Sequence, residues 1–131
     1  MGGTTDSELN KMVKDLGIKN YRGCFMRNEL PPDKPWSQEC GIINFESSSD
    51  GSGTHWSVWY KNGDTKIFYD SFGTNPPKEL VNYLGGNILS STFQIQNINS
   101  DICGELCILV LFLLDKGHSF EEIILDCVYG Y

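Results

Sequence analysis

Among the 131 residues of this chain, five cysteines and two histidines are the side chains best suited to nucleophilic or metal chemistry. Two of them, Cys103 and Cys107, stand at an i, i+4 spacing in Ser100–Cys107, "SDICGELC", where an apolar run from Leu106 to Leu114 begins. Three readings fit that stretch: core filler, a metal pair, or a nucleophile on the first turn of a buried helix. A helix N-terminus offers unpaired N–H groups and the positive end of the helix dipole, and both favour a thiolate. Cys103 occupies that first turn whether Ser100 or Asp101 is the cap. Cys107 lies one turn deeper, where burial favours the neutral thiol. Cys103 is therefore the expected reactive thiol and Cys107 the expected packing residue. A cysteine nucleophile also needs a base, and the base needs an orienting group; His55 and Asp70 are the candidates. Taken alone, a buried cysteine is more often a small hydrophobe, so Cys103 gains weight from this pair. Zinc is disfavoured, because no Cys-x-x-Cys spacing occurs and the other cysteines are scattered. Neither a metal nor another cofactor is expected. Gly104 leaves room for a substrate to approach the backbone. His118, after Gly117, reads as a surface residue near a helix end.

The elements that must position these residues follow from periodicity. His55–Tyr60 and Thr65–Asp70 are rich in aromatic and β-branched residues and flank Lys61-Asn62-Gly63-Asp64. Asn-Gly is the strongest short hairpin signal. With Asn62 and Gly63 as a two-residue turn, Tyr60 faces Thr65, Trp56 faces Tyr69 and His55 faces Asp70, so an imidazole and a carboxylate share one face. A different turn would shift this register. Ser7–Leu16 carries Leu9, Met12, Val13 and Leu16 as a helical stripe, and Gly17 stops it. Asn28–Pro35, with three prolines, is a loop, Cys40–Phe45 a short buried strand, and Glu46–Gly53 a polar loop. Asn75-Pro76 fits a cap and first position for a helix to Leu84. Thr92–Asn97 alternates as a strand with Gln94 and Gln96 on one face. The helix holding Cys103 runs past Leu114, apolar nearly all round, as the central buried helix. Ser119-Phe-Glu-Glu is a capping box opening a last helix. The fold class expected is α+β, a central helix packed on a small, mostly antiparallel sheet. Trp59, Phe68 and Phe72 read as core; Trp56, beside the candidate base, is the aromatic best placed to meet a substrate.

Length and composition bound the remaining possibilities. A chain of this size makes one ordinary domain, 1–131. The formal net charge of −7 excludes nucleic-acid binding through bulk charge. Leu106–Leu114 falls well short of the roughly 20 residues that a membrane span needs. Met1–Gly17 has no apolar signal-peptide core, and an odd, unevenly spaced cysteine set without one reads as reduced thiols. An intracellular location is expected.

These residues resemble the adenain family of adenovirus endopeptidases, cysteine proteases of the clan that also holds the SUMO-specific proteases. The resemblance is carried by "ELNKMVKDLG" at Glu8–Gly17, Gly53-Thr54-His55-Trp56, Tyr69-Asp70-Ser71-Phe72-Gly73 and Cys103-Gly104-Glu105-Leu106-Cys107. It covers roughly residues 5–115, with the four motifs in order and spacing. It implies catalytic roles for Cys103 as nucleophile, His55 as base and Asp70 as orienting acid. Gln96, upstream of Cys103 at the family's offset, is implied as an oxyanion donor, and Gly53, Trp56 and Gly104 as flanking, substrate-side residues. The implied function is an endopeptidase cutting at small, Gly-containing sites during maturation of capsid precursors of a virus or virus-like element, in the infected cell or virion. A deconjugating protease for a ubiquitin-like modifier, or an inactive binding domain, are the alternatives. Three departures stand out: aspartate replaces the family's frequent glutamate, the family's long C-terminal extension has no counterpart, and Ser90–Gln96 has no cysteine to bond an activating peptide. With the acidic charge, these point to a compact core enzyme without the family's DNA and peptide activators, or with different ones; a monomer is expected.

Overall fold

The structure, a computed structural model, describes residues 5–44, 55–70, 73–90 and 103–129, with the backbone alone for 103 and 126–129. The first helix, α1 (Asp6–Leu16), is set by its ends. Thr5 and Glu8 form a reciprocal capping box, with the Glu8 amide donating to Thr5 Oγ1 (3.2 Å) and the Thr5 amide to Glu8 Oε1 (2.9 Å). Gly17 closes the helix in the left-handed conformation, at φ 69°. Leu9 and Val13 are the buried half of the expected stripe, whereas Leu16 is exposed.

Five strands form one sheet in the order β1-β2-β3-β4-β5: β1 (Tyr21–Met26), β2 (Gln38–Asn44), β3 (Trp56–Asn62), β4 (Thr65–Tyr69) and β5 (Leu89–Ser90). The central pairings β2–β3 and β3–β4 are antiparallel, as expected, while the edge strands β1 and β5 join in parallel. Sequence periodicity gave no sign of β1. Its pattern is broken by Arg22 and by Gly23 at φ 131°, where the pairing with β2 slips between Tyr21 and Cys24. A 3-10 turn, Arg27–Glu29, then leads into the expected proline loop.

The hairpin forms with a different turn. Asn62 pairs with Thr65, Tyr60 with Ile67 and Val58 with Tyr69, so the loop is Gly63-Asp64 rather than Asn62-Gly63. Asn62 is held in the ladder by β2, where it pairs with Gln38 and accepts a hydrogen bond from Gln38 Nε2 (3.1 Å). Gly63 takes the positive φ of 60° that the turn requires, and its amide donates to Ser37 O (2.7 Å). Partners shift by two residues relative to the expected register, which leaves every side chain on its expected face.

The next helix, α2 (Lys78–Leu84), starts two residues later than Asn75-Pro76 implies. Pro76 precedes Pro77, and a residue before proline is pushed out of the helical region. Pro77 becomes the N-cap, extended at ψ 149°. The helix α3 (Cys103–Asp115) is followed at Gly117 by a left-handed turn, and Ser119 and Glu122 make the expected capping box of α4 (Phe120–Tyr129).

Strand alternation splits the core in two. On one face Ile42, Trp56, Val58, Ile67 and Tyr69 pack with Leu9 and Val13 of α1 and Cys107, Val110, Leu111 and Leu114 of α3. On the other, Ile43, Trp59 and Phe68 pack with Leu80 and Leu84 of α2. As expected of the central helix, α3 buries Cys107, Ile108, Val110, Leu111 and Leu114 against the sheet and α1, while Leu109 on its outer side is 45% exposed. On the α2 face, the Trp59 ring packs against Gly41 of β2. A Cβ at Gly41 would sit 2.3–2.8 Å from the Trp59 ring, which only glycine permits.

Among the described residues, no helix is long and apolar enough to cross a membrane. The expected loop 46–53 and strand 92–97 lie outside the described residues.

Candidate functional site

The site gathers at the end of the sheet where β3 begins. His55 immediately precedes β3 and Asp70 immediately follows β4. In the observed register the ladder ends at the pair of Val58 with Tyr69, so Ser57 is the residue nearest opposite Asp70 and His55 stands diagonally across. Diagonal neighbours on one face are about 7–8 Å apart at the backbone, within reach of an imidazole and a carboxylate together. The expected pair does meet, with His55 Nε2 hydrogen-bonded to Asp70 Oδ1. It meets diagonally, not as the direct cross-strand pair that the Asn62-Gly63 turn would have made.

Asp70 is fully buried and His55 has 16% of its side chain exposed. A buried carboxylate must have its acceptor sites filled. Ser57 Oγ donates to Oδ1 (2.8 Å), the Thr74 amide donates to Oδ2 (3.0 Å), and the Thr74 hydroxyl also bonds Oδ2. The Gly73 amide, donating to Asp70 O (2.9 Å), folds the chain back so that Thr74 reaches the carboxylate. Burial pushes the Asp70 carboxyl up, but the hydrogen bonds from His55 and Thr74 and the attraction to the imidazolium outweigh it. The carboxyl therefore lies below its ordinary 3.8 and is ionised at neutral pH. Neither Ser57 nor Thr74 was singled out from the sequence. Ser57 is hidden by the register shift, and Thr74 by a local side-chain to backbone bond that leaves only a weak signal.

Cys103 is the first residue of α3, as expected of a first-turn residue, and Gly104 beside it is buried. The Cys103 side chain, Gly53 and Gln96 lie outside the described residues. Cys107, one turn on, is buried, and its thiol donates to the carbonyl of Trp56 (3.2 Å). That bond joins α3 to the residue after His55. Trp56 itself is 5% exposed within the α3-side core, so it backs the site rather than offering an open ring face. Two other thiols are poor nucleophiles. Burial, followed by the charges of Asp115 and Glu39, pushes Cys40 up to about 12, and burial likewise pushes Cys24 up to about 11. Among the described residues, no group of three or more His, Cys, Asp or Glu is placed to hold a metal ion.

A second buried carboxylate marks the far end of β2. Glu39 accepts bonds from Trp59 Nε1 (2.8 Å), the Trp36 amide (2.8 Å), Tyr83 OH (2.9 and 3.0 Å) and Arg22 Nη1 (3.2 Å). Arg22 also pairs with Asp33 and stacks on Trp36. This network ties β1, the proline loop, β2, β3 and α2 together and so stiffens the sheet that carries the site.

No family model matches the chain. Over 131 aligned positions it is 31% identical to the protease of bovine adenovirus 2, an alignment taking in 83% of this chain and 62% of that relative. Over 130 positions it is 26% identical to the protease of porcine adenovirus A serotype 3, covering 83% of this chain and 63% of that protein. In sequence the chain is similar to these adenovirus proteases. Its fold agrees with that likeness. Crystal structures of the ASFV pS273R protease, in selenomethionine and unlabelled forms, superpose with TM-scores of 0.67 and 0.60 at 14% identity. Each superposition covers 94% of this chain, and 62% and 61% of the ASFV chains. The chain thus spans a little over three fifths of the curated relatives it matches.

Proposed function

We propose that this chain is a viral cysteine protease in which Cys103 is the nucleophile, His55 the base and Asp70 the orienting acid. The observation that carries the reading is the buried, hydrogen-bonded Asp70 carboxylate on His55 Nε2, at the strand ends next to the helix that Cys103 begins. The likeness to adenovirus proteases supports it.

The chemistry follows from which ring nitrogen is taken. An ionised Asp70 accepts the Nε2 proton, so the neutral ring keeps its lone pair on Nδ1. Nδ1 removes the Cys103 proton, giving a thiolate–imidazolium pair. The thiolate attacks the scissile carbonyl, and the imidazolium returns its proton to the leaving amine. Water then hydrolyses the thioester, with His55 again as base. Asp70 holds the ring in this tautomer and stabilises its charged form without itself taking the proton. Gln96 and the Cys103 amide are the proposed oxyanion donors; in a serine protease, losing one such donor costs about 10²–10³ in rate.

The proposed substrates are polypeptides with small residues, glycine above all, before the cut. Capsid or other virion precursors, in the infected cell or virion, are the proposed setting. The test compares the wild type with Cys103→Ala, using a thiol-alkylating probe and a Gly-containing peptide. Fast labelling and cleavage by the wild type alone are expected. Wild-type labelling no faster than that of Cys103→Ala would overturn the reading. Cleavage of a ubiquitin-like fusion in preference to the peptide would replace it with a deconjugase.

A further inference from the structure

A carboxylate has about four lone-pair sites, and Asp70 fills them in an ordered way. Oδ1 receives His55 Nε2 and Ser57 Oγ, while Oδ2 receives the amide and the hydroxyl of Thr74. The donors come from three places: His55 just before β3, Ser57 as the second residue of β3, and Thr74 in the segment after β4. Each Oδ2 bond turns the carboxylate about its Cβ–Cγ axis into one orientation. The Ser57 bond, from β3 itself, keeps Oδ1 in register with the strand that His55 precedes.

We propose that Ser57 and Thr74 are positioning residues for the reaction, a clamp that fixes the Asp70 carboxylate so that one lone pair of Oδ1 is aimed at His55 Nε2. The clamp rests on the catalytic roles proposed for His55 and Asp70. A shorter carboxylate needs it more than a longer one. Aspartate carries its oxygens one methylene closer to the backbone than glutamate, and here it meets its imidazole diagonally across the hairpin, so small rotations of the carboxylate would break the contact. With Ser57 and Thr74 in place, three donors other than the imidazole pin the group, and His55 encounters an acceptor that is already oriented. Such preorganisation lowers the reorganisation needed when the imidazolium forms. Thr74 adds to what His55 does in keeping a fully buried acid charged: both of its donors bind the oxygen that His55 does not use.

Two variants test this with little disturbance. Thr74→Val keeps the shape and the amide donor and removes only the hydroxyl, while Ser57→Ala removes only the Ser57 hydroxyl. The expected result is a roughly tenfold fall in kcat for each, the lower end of what one hydrogen bond to a charged group is worth, with KM within about twofold of wild type. Thr74→Ser, which keeps both donors, should restore kcat. A second readout needs no turnover. In the Cys103→Ala protein, the His55 Nε2 proton should resonate far downfield in the NMR spectrum, as a proton held by an ionised carboxylate does. It should broaden or move upfield on adding Ser57→Ala or Thr74→Val. Wild-type kcat in both variants, or a rise in KM alone, with the His55 resonance unmoved, overturns the clamp. If the wild type neither labels nor cleaves, the protease reading falls by itself, and the resonance alone decides whether Ser57 and Thr74 position the pair.

Discussion

The Cys107 thiol donates to the backbone carbonyl of Trp56 at 3.2 Å, so the helix that begins at Cys103 is tied to the residue next to His55. The bond lies in the core, away from the candidate nucleophile's turn, and its loss removes packing and one weak hydrogen bond. Cys107→Ala is expected to lower stability by about 1–2 kcal/mol and to retain cleavage, whereas Cys103→Ala abolishes it. Chemical denaturation and peptide cleavage of the two variants check this, and the opposite pattern of activity would move the nucleophile to Cys107.

Asp70→Asn should leave the fold in place and cut kcat by about 10²–10⁴, because an amide offers Nε2 the wrong partner and permits the other tautomer. Steady-state kinetics on the folded variant measure the loss. A fall of less than tenfold would remove Asp70 from the mechanism.

The same carboxylate makes stability depend on acid. Its folded pKa lies below the ordinary 3.8, so its contribution is fully present above that value and is lost as pH falls through the folded pKa. Between about pH 5 and pH 2 the wild type should therefore lose stability more steeply than Asp70→Asn. Denaturation midpoints at stepped pH test it, and parallel curves would show that Asp70 is not a source of acid sensitivity.

Gly41→Ala would place a methyl against the rigid, fully buried ring of Trp59, itself pinned by Glu39. A cost of about 1–3 kcal/mol is expected. Thermal and chemical melting measure it, and a neutral substitution would mean that the ring has room to shift.

Glu39→Ala removes one of the two carboxylates on the buried Arg22 guanidinium and leaves the Trp59 and Tyr83 donors without their acceptor. Breaking a buried charged network in this way costs about 3–5 kcal/mol. Because Glu39 sits at the opposite end of β2 from the candidate site, cleavage by whatever fraction folds should stay near the wild-type rate per folded molecule. Active-site titration against melting separates the two effects.

Much of this was legible in the residue order because it is local. Thr5–Glu8 and Ser119–Glu122 cap helices over a single turn, Leu9 and Val13 repeat at helical spacing, and the two halves of the hairpin alternate. The placement of His55 and Asp70 on one face was also legible, since moving the turn by one residue shifts partners by two and preserves the face. What failed depended on neighbours distant in sequence. Asn62 is kept out of the turn by Gln38 on another strand, so the exact partner of Asp70 became Ser57 rather than His55. The strand Tyr21–Met26 has no pattern of its own and exists because β2 offers it a parallel edge. Trp56, read as a substrate-side or supporting residue, is buried because α3 closes over it. Sequence alone therefore determined the types of residue at the candidate site, the helix ends and the sidedness of the hairpin, all set by short-range backbone geometry. The tertiary structure decided the register, the four donors on Asp70 and the tie between Cys107 and Trp56, because hydrogen bonds between separate elements exist only once packing brings those elements together.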